Sequence, residues 1–150
     1  MKNSNVQTGS VSRPRWMIVD DNKDFLSLIR GIIAEFADAD VQCFHSPQAA
    51  LAAFAFTPKA FDFVITDLEM PGMSGLELGE RLRKLSPSLK ILLATGSEIL
   101  TAGEAAQKGF CGLLRKPFPF AALQRALAAA GLPERAPEKN SKNFAALTMA

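Results

Sequence analysis

Four short apolar runs in this chain end in side chains suited to chemistry. Trp16 to Val19 runs into Asp20-Asp21, and Phe63-Val64-Ile65 leads two residues on to Asp67. "KILLAT" ends at Thr95, and "CGLLRKP" leads to Lys116. Three carboxylates brought together repel one another, and they stay ionised only beside a counter-charge. A hard divalent cation with oxygen ligands meets that need, and Mg²⁺ binds through a few carboxylates, waters and phosphate oxygens. Lys116 adds a point charge and Thr95 a hydroxyl, so the set suits binding and neutralising a phosphoryl group. Asp67 then reads as a nucleophile, because a carboxylate can form an aspartyl-phosphate. Pro71-Gly72 and Gly75 turn the chain away from it, and the backbone carbonyl near Glu69 is a further oxygen for the metal.

The elements needed to position these groups follow from hydrophobic periodicity. Phe25, Leu28, Ile29, Ile32, Ile33 and Phe36 recur on one helical face, with Asp21 or Asn22 as cap. "DVQCFH" reads as a brief strand. "SPQAALAAFAF" reads as a helix with Ser46 as cap and Pro47 at its first position. Residues 74–85 form a helix with Leu76, Leu82 and Leu85 inward. The unbroken apolar run in "KILLAT" predicts a strand buried on both faces. Residues 97–108 read as a helix with only Ile99 and Leu100 bulky, and Gly103 costs it about 1 kcal/mol relative to alanine. Pro119 to Ala130 closes the series, with Phe120, Leu123 and Leu127 on one side. Five strand-helix repeats predict an α/β fold, a doubly wound parallel sheet with right-handed crossovers. In such a sheet ligands bind beyond the carboxyl ends of the strands, where all the candidate groups stand.

Composition narrows the function classes. The chain has 150 residues, 48% hydrophobic and 21% charged, with a net charge of +2 and no basic block to read as a nucleic-acid surface. No apolar run approaches the roughly 18 residues of a membrane span, and the polar start "MKNSNVQTGSVSRP" lacks a signal core. The expected location is the cytoplasm. Cys43 and Cys111 form no C-x-x-C pair and read as small buried hydrophobes. Cys43 with His45 lacks the companions of a metal site, and His45 reads as a solvent-exposed loop residue. The expected division is a flexible tail over 1–13, one domain over 14–131, and a linker-like tail over 132–150.

"VDD", "VITDLEMPGMSGLEL", "LLATG" and "LLRKPF", in this order and spacing, resemble the receiver domain of bacterial two-component response regulators. The resemblance covers roughly four-fifths of the chain and implies a flavodoxin-like fold with strand order 2-1-3-4-5. It further implies that Asp67 accepts the phosphoryl group, in a reaction in which the protein catalyses only its own phosphorylation and dephosphorylation. Asp20 and Asp21 would hold Mg²⁺ together with Asp67 and the main-chain carbonyl of Glu69. Thr95 would move to bond the phosphoryl group, Lys116 would neutralise it, and the Lys116-Pro117 peptide would be cis. The chain departs from the family at Leu113, where receivers often carry a switch Tyr or Phe; Phe110 is nearby but out of register. A signal would then travel through the 95–108 loop and helix. Glu69 and Ser97, each two residues past a site residue, are candidates for tuning the phosphoryl lifetime.

The implied partners are a histidine kinase or a histidine phosphotransfer protein, with output through protein contact on the 97–130 face, homodimerisation included. The expected mode is a stand-alone receiver with no direct DNA binding. A phosphate sink or relay for a hybrid kinase is one alternative, and a phosphorylation-independent interaction module another. A dehalogenase-type phosphatase also uses an aspartyl nucleophile with Mg²⁺. It generally carries an aspartate where this chain has Glu69, followed by a threonine that "TDLEM" lacks, and it usually has a cap domain.

Overall fold

The computed structural model describes residues 13–132 and the backbone of 148–149. Its elements alternate as β1 (Arg15–Val19), α1 (Lys23–Phe36), β2 (Asp40–Phe44), α2 (Pro47–Phe56), β3 (Phe63–Asp67), α3 (Gly75–Leu85), β4 (Lys90–Thr95), α4 (Ala102–Gln107) and β5 (Gly112–Arg115). A two-residue β6 (Phe118–Pro119) precedes α5 (Phe120–Ala129). The five long strands form one parallel sheet in the order β2-β1-β3-β4-β5. This is the flavodoxin-like arrangement. Outside it, Thr148–Met149 (β7) pairs antiparallel with β6. The rest of the 132–150 tail beyond Leu132, and nearly all of the 1–13 tail, lie outside the described residues.

Side chains alternate across the strands, and this splits the core in two. Trp16, Ile18, Phe63, Ile65, Leu92 and Leu114 pack under α1 and α5. Met17, Val19, Val64, Ile91 and Leu93 pack under α2, α3 and α4. β4 is buried on both faces from Ile91 to Thr95, as its continuous apolar run predicts. The register then decides where the chain ends fall. Val19 lies opposite Thr66, Asp67 opposite Ala94, and Thr95 opposite Arg115, so the polar residues after these strands share one edge.

Four expectations need correcting. On α1, Leu28 is 43% exposed while Leu26 is buried. At ~100° per residue, Leu28 falls on the flank of the face centred on Ile29 and Ile33. On α3, Leu85 is likewise exposed and Leu78 takes the inward place, because the buried stripe runs through Gly75, Leu78, Gly79 and Leu82. The helix expected over 97–108 covers only Ala102–Gln107. Thr101 caps it by accepting the Glu104 N–H at 3.1 Å, so the six residues after Thr95 form a loop. The cysteines are free, but neither is buried: Cys43 is half-buried and Cys111 exposed.

Candidate functional site

Local structure explains how each group reaches the edge. Asp20 follows β1 directly and is 1% exposed. Its Oδ1 accepts the Asn22 N–H at 2.8 Å, while Asn22 caps α1 by accepting the Phe25 N–H at 3.1 Å. Of the two cap candidates, then, Asn22 serves and Asp20-Asp21 are left for the site. Asp67 ends β3, and the chain must leave at once. It can do so because residue 75 is glycine. A Cβ there would sit 2.1 Å from the Asp67 carbonyl oxygen, whereas the Gly75 N–H donates to the Leu68 carbonyl at 2.8 Å. Glu69 sits exposed on the loop that follows.

Thr95 ends β4 and is 1% exposed. Its hydroxyl oxygen accepts the Ser97 N–H at 2.9 Å, a bond that leaves the hydroxyl proton uncommitted. Lys116 follows β5, where its own N–H donates to the Thr95 carbonyl at 2.8 Å. Its ammonium donates to Asp20 Oδ2, lies 3.7 Å from Asp67 Oδ1, and rests 4.0 Å from the centroid of the Phe25 ring. The Lys116-Pro117 peptide is cis.

Carboxylate oxygens of Asp20, Asp21 and Asp67 lie within 4.8 Å of one another. Such a set carries more negative charge than one lysine offsets. Burial pushes the Asp67 carboxyl up to about 6; Lys116 pulls it down, Asp20 pushes it up, the Leu68 N–H pulls it down and Asp21 pushes it up. An all-oxygen cluster with no imidazole or thiolate suits a hard cation such as Mg²⁺ and not zinc. The chain therefore offers what such an ion needs: several carboxylates in reach, one of them exposed Asp21 at the open side.

Asp20, Asp21, Asp67 and Lys116 come together at this edge. Leu113 is half-buried and packs against the α2–α4 side of the core. Phe110 is buried under Arg83 of α3, whose guanidinium carbon lies 4.9 Å from the ring centroid, and it packs in the same side of the core. His45 is exposed. One residue was not foreseen. Arg115 donates to the carbonyls of Ser97 at 2.7 Å and Leu100 at 2.6 Å, tying the loop after β4 to β5. Sequence offers only a second cation beside Lys116 as its signal.

Residues 16–128 match the family model of the response regulator receiver domain. The chain belongs to this family. A response regulator receiver protein from Anaeromyxobacter sp. (strain Fw109-5) is 36% identical over 104 residues, which are 69% of this chain and 42% of that protein. The chemotaxis protein CheY-3 of Vibrio cholerae is 33% identical over 117 residues, 74% of this chain and 86% of that protein. The C4-dicarboxylate transport transcriptional regulatory protein DctD of Rhizobium meliloti is 35% identical over 70% of this chain, which spans only 22% of it. Among solved structures, the signal receiver domain of an HD domain-containing protein from Pseudomonas fluorescens Pf-5 superposes with a TM-score of 0.71 at 26% identity. It covers 79% of this chain and 94% of that one. The receiver is thus a signalling module with an acidic cluster at the carboxyl edge of its sheet. Among the described residues no helix is long and apolar enough to cross a membrane.

Proposed function

We propose that this receiver takes a phosphoryl group onto Asp67 from a phosphohistidine on a histidine kinase or histidine phosphotransfer protein. The supporting observation is the cluster itself: three carboxylates within 4.8 Å, with the Lys116 ammonium donating to Asp20 and 3.7 Å from Asp67. A carboxylate oxygen of Asp67 attacks phosphorus, the P–N bond breaks, and the donor imidazole keeps the electron pair and takes up a proton. Asp20, Asp21, Asp67 and the Glu69 carbonyl would hold Mg²⁺, which when bound supplies positive charge against the phosphoryl oxygens. Lys116 neutralises another of those oxygens, and the uncommitted Thr95 proton is available to a third. Glu69 and Ser97 flank this region and would tune how long the acyl phosphate lasts.

Output would pass through the 97–130 face, by contact with a downstream protein or a second copy of the chain. The likeness to CheY-3 along most of its length supports a stand-alone mode. The likeness to DctD over a fraction of its length fits a receiver acting within a larger assembly, with a relay or phosphate-sink role as its counterpart.

Intact-mass spectrometry after incubation with acetyl phosphate and Mg²⁺ tests the reading. The expected result is a single phosphoryl adduct on the wild type, absent from Asp67→Asn and absent with EDTA. If neither an adduct nor beryllofluoride binding appears, the protein is a phosphorylation-independent interaction module.

A further inference from the structure

The loop after β4 is closed by a ring of bonds. The Thr95 hydroxyl accepts the Ser97 N–H at 2.9 Å. The Ser97 hydroxyl accepts the Ile99 N–H at 3.2 Å. The Ser97 carbonyl accepts from Arg115 Nη1 at 2.7 Å, and the Leu100 carbonyl accepts from Nη2 at 2.6 Å. Lys116, the next residue, returns the chain to Thr95 through its backbone N–H at 2.8 Å. One planar guanidinium therefore fixes both ends of the loop segment that leads into Thr101 and α4. A guanidinium suits this task because its donors are held in a rigid fork, which an ammonium lacks.

We infer that Arg115 is a positioning residue that couples the state of the Thr95 hydroxyl to α4. The inference rests on the phosphoacceptor reading of Asp67 and adds to it the route by which the signal leaves. Any shift of Thr95 toward a phosphoryl oxygen carries the Ser97 peptide with it, since the Ser97 N–H is bonded to that hydroxyl. The Ser97 carbonyl is on the same residue and is held by Arg115, so the shift must strain or reset the clamp. The Leu100 carbonyl shares that clamp, one residue before the Thr101 cap of α4. Leu113, being aliphatic, has no polar tip with which to report on Thr95, whereas Arg115 is bonded to the loop itself. The clamp is made in this arrangement, and a population shift through it requires that it be remade in another.

Amide hydrogen exchange by NMR at Ser97, Ile99 and Ala105 tests this in the wild type, Arg115→Met and Arg115→Lys, each with and without beryllofluoride and Mg²⁺. In the wild type the anion is expected to change exchange at all three amides. In Arg115→Met the anion still binds, with affinity within about tenfold of the wild type. Its effect at Ser97 persists and its effect at Ala105 disappears. Without the anion, loss of the clamp raises exchange at Ile99 about tenfold. Arg115→Lys keeps the charge but not the fork, and its response at Ala105 falls between the two. An Ala105 response in Arg115→Met equal to the wild type overturns the inference, and so does a wild type that binds the anion without responding at Ala105. Full rescue by lysine overturns the fork as the cause. Failure of the wild type to bind beryllofluoride overturns the phosphoacceptor reading itself, and this inference with it.

Discussion

Helices α1 and α4 border the same edge of the sheet, yet they are held very differently. α1 has 14 residues and buries Phe25, Leu26, Ile29, Ile32 and Ile33. α4 has six and buries only Ala105. The site draws on both. Asp20 and the Lys116 ammonium stand on the α1 side, the latter over the ring of Phe25. Thr95 opens the loop that feeds α4. Groups that must hold a fixed geometry thus sit against the well-anchored helix. The group expected to move leads into the helix with a single buried side chain, which is where low-cost local opening is found.

The sharpest way to test this contrast is to remove packing from α1. Ile29 is fully buried, and Ile29→Ala leaves a cavity in the middle of the α1 face. A loss of about 4 kcal/mol in urea unfolding is expected. A loss under about 1 kcal/mol, the level of an exposed site, would break the comparison.

The next largest effect concerns Asp67, at the end of the central strand β3. Its carboxyl is raised to about 6 in the fold, chiefly by burial. The folded protein therefore binds the proton more tightly than the unfolded chain does. Without metal, stability falls as pH rises through roughly 4 to 6, and the penalty is complete above the folded value. At about 1.4 kcal/mol per pKa unit, the penalty near pH 7 is on the order of 2–3 kcal/mol. Asp67→Asn should remove it. In EDTA the variant should be the more stable protein at pH 7, and the advantage should vanish near pH 4. Urea midpoints of both proteins across that range check the sign. Saturating Mg²⁺ should narrow the gap by stabilising the wild type. A wild type that outlasts the variant at pH 7 in EDTA would contradict the burial argument.

Much of this division was legible in the sequence, and its limits have physical causes. Strand ends carry their polar residues in the chain itself, so Asp20, Asp67, Thr95 and Lys116 could be read before any geometry. The weak anchoring of α4 was visible in its lack of large apolar side chains. Its start was not, because Thr101 as cap competes with a plausible helical reading of 97–101. Leu28 and Leu85 were misplaced because helical spacing gives a stripe without fixing its centre. Arg115 was missed because a bond to backbone carbonyls 15 and 18 residues away leaves no local pattern. Phe110, set aside in the sequence as out of register with the switch position, is buried under Arg83.

Phe110 also supplies the next test, since it joins α3 to the end of α4. Its N–H donates to the Ala105 carbonyl at 3.0 Å. A Cβ on Gly79 would lie 2.6 Å from two of its ring carbons. Gly79→Ala must displace the ring or the helix, and Arg83 covers the ring. A cost of about 2 kcal/mol is expected from such overpacking. Alongside it, amide exchange should rise at Phe110 and Ala106 and stay unchanged at Ile33 on α1. Equal changes on both helices would show that α1 and α4 respond as one unit.

The smallest expected effect is the most telling. Ala105 is the one buried side chain of α4, and Ala105→Gly adds backbone freedom to a helix with little else to hold it. The intrinsic cost is about 1 kcal/mol, with a similar small term for the lost methyl. If α4 opens locally, at far lower free energy than the whole fold, that cost need not appear in global unfolding at all. It should appear instead as faster exchange at Ala105 and Lys108, whose amides bond to Thr101 and Glu104 across the helix. The urea midpoint should move by much less than for Ile29→Ala. A midpoint loss as large as that of Ile29→Ala would mean that α4 is part of the cooperative core, and that a signal reaching it must disturb the whole domain.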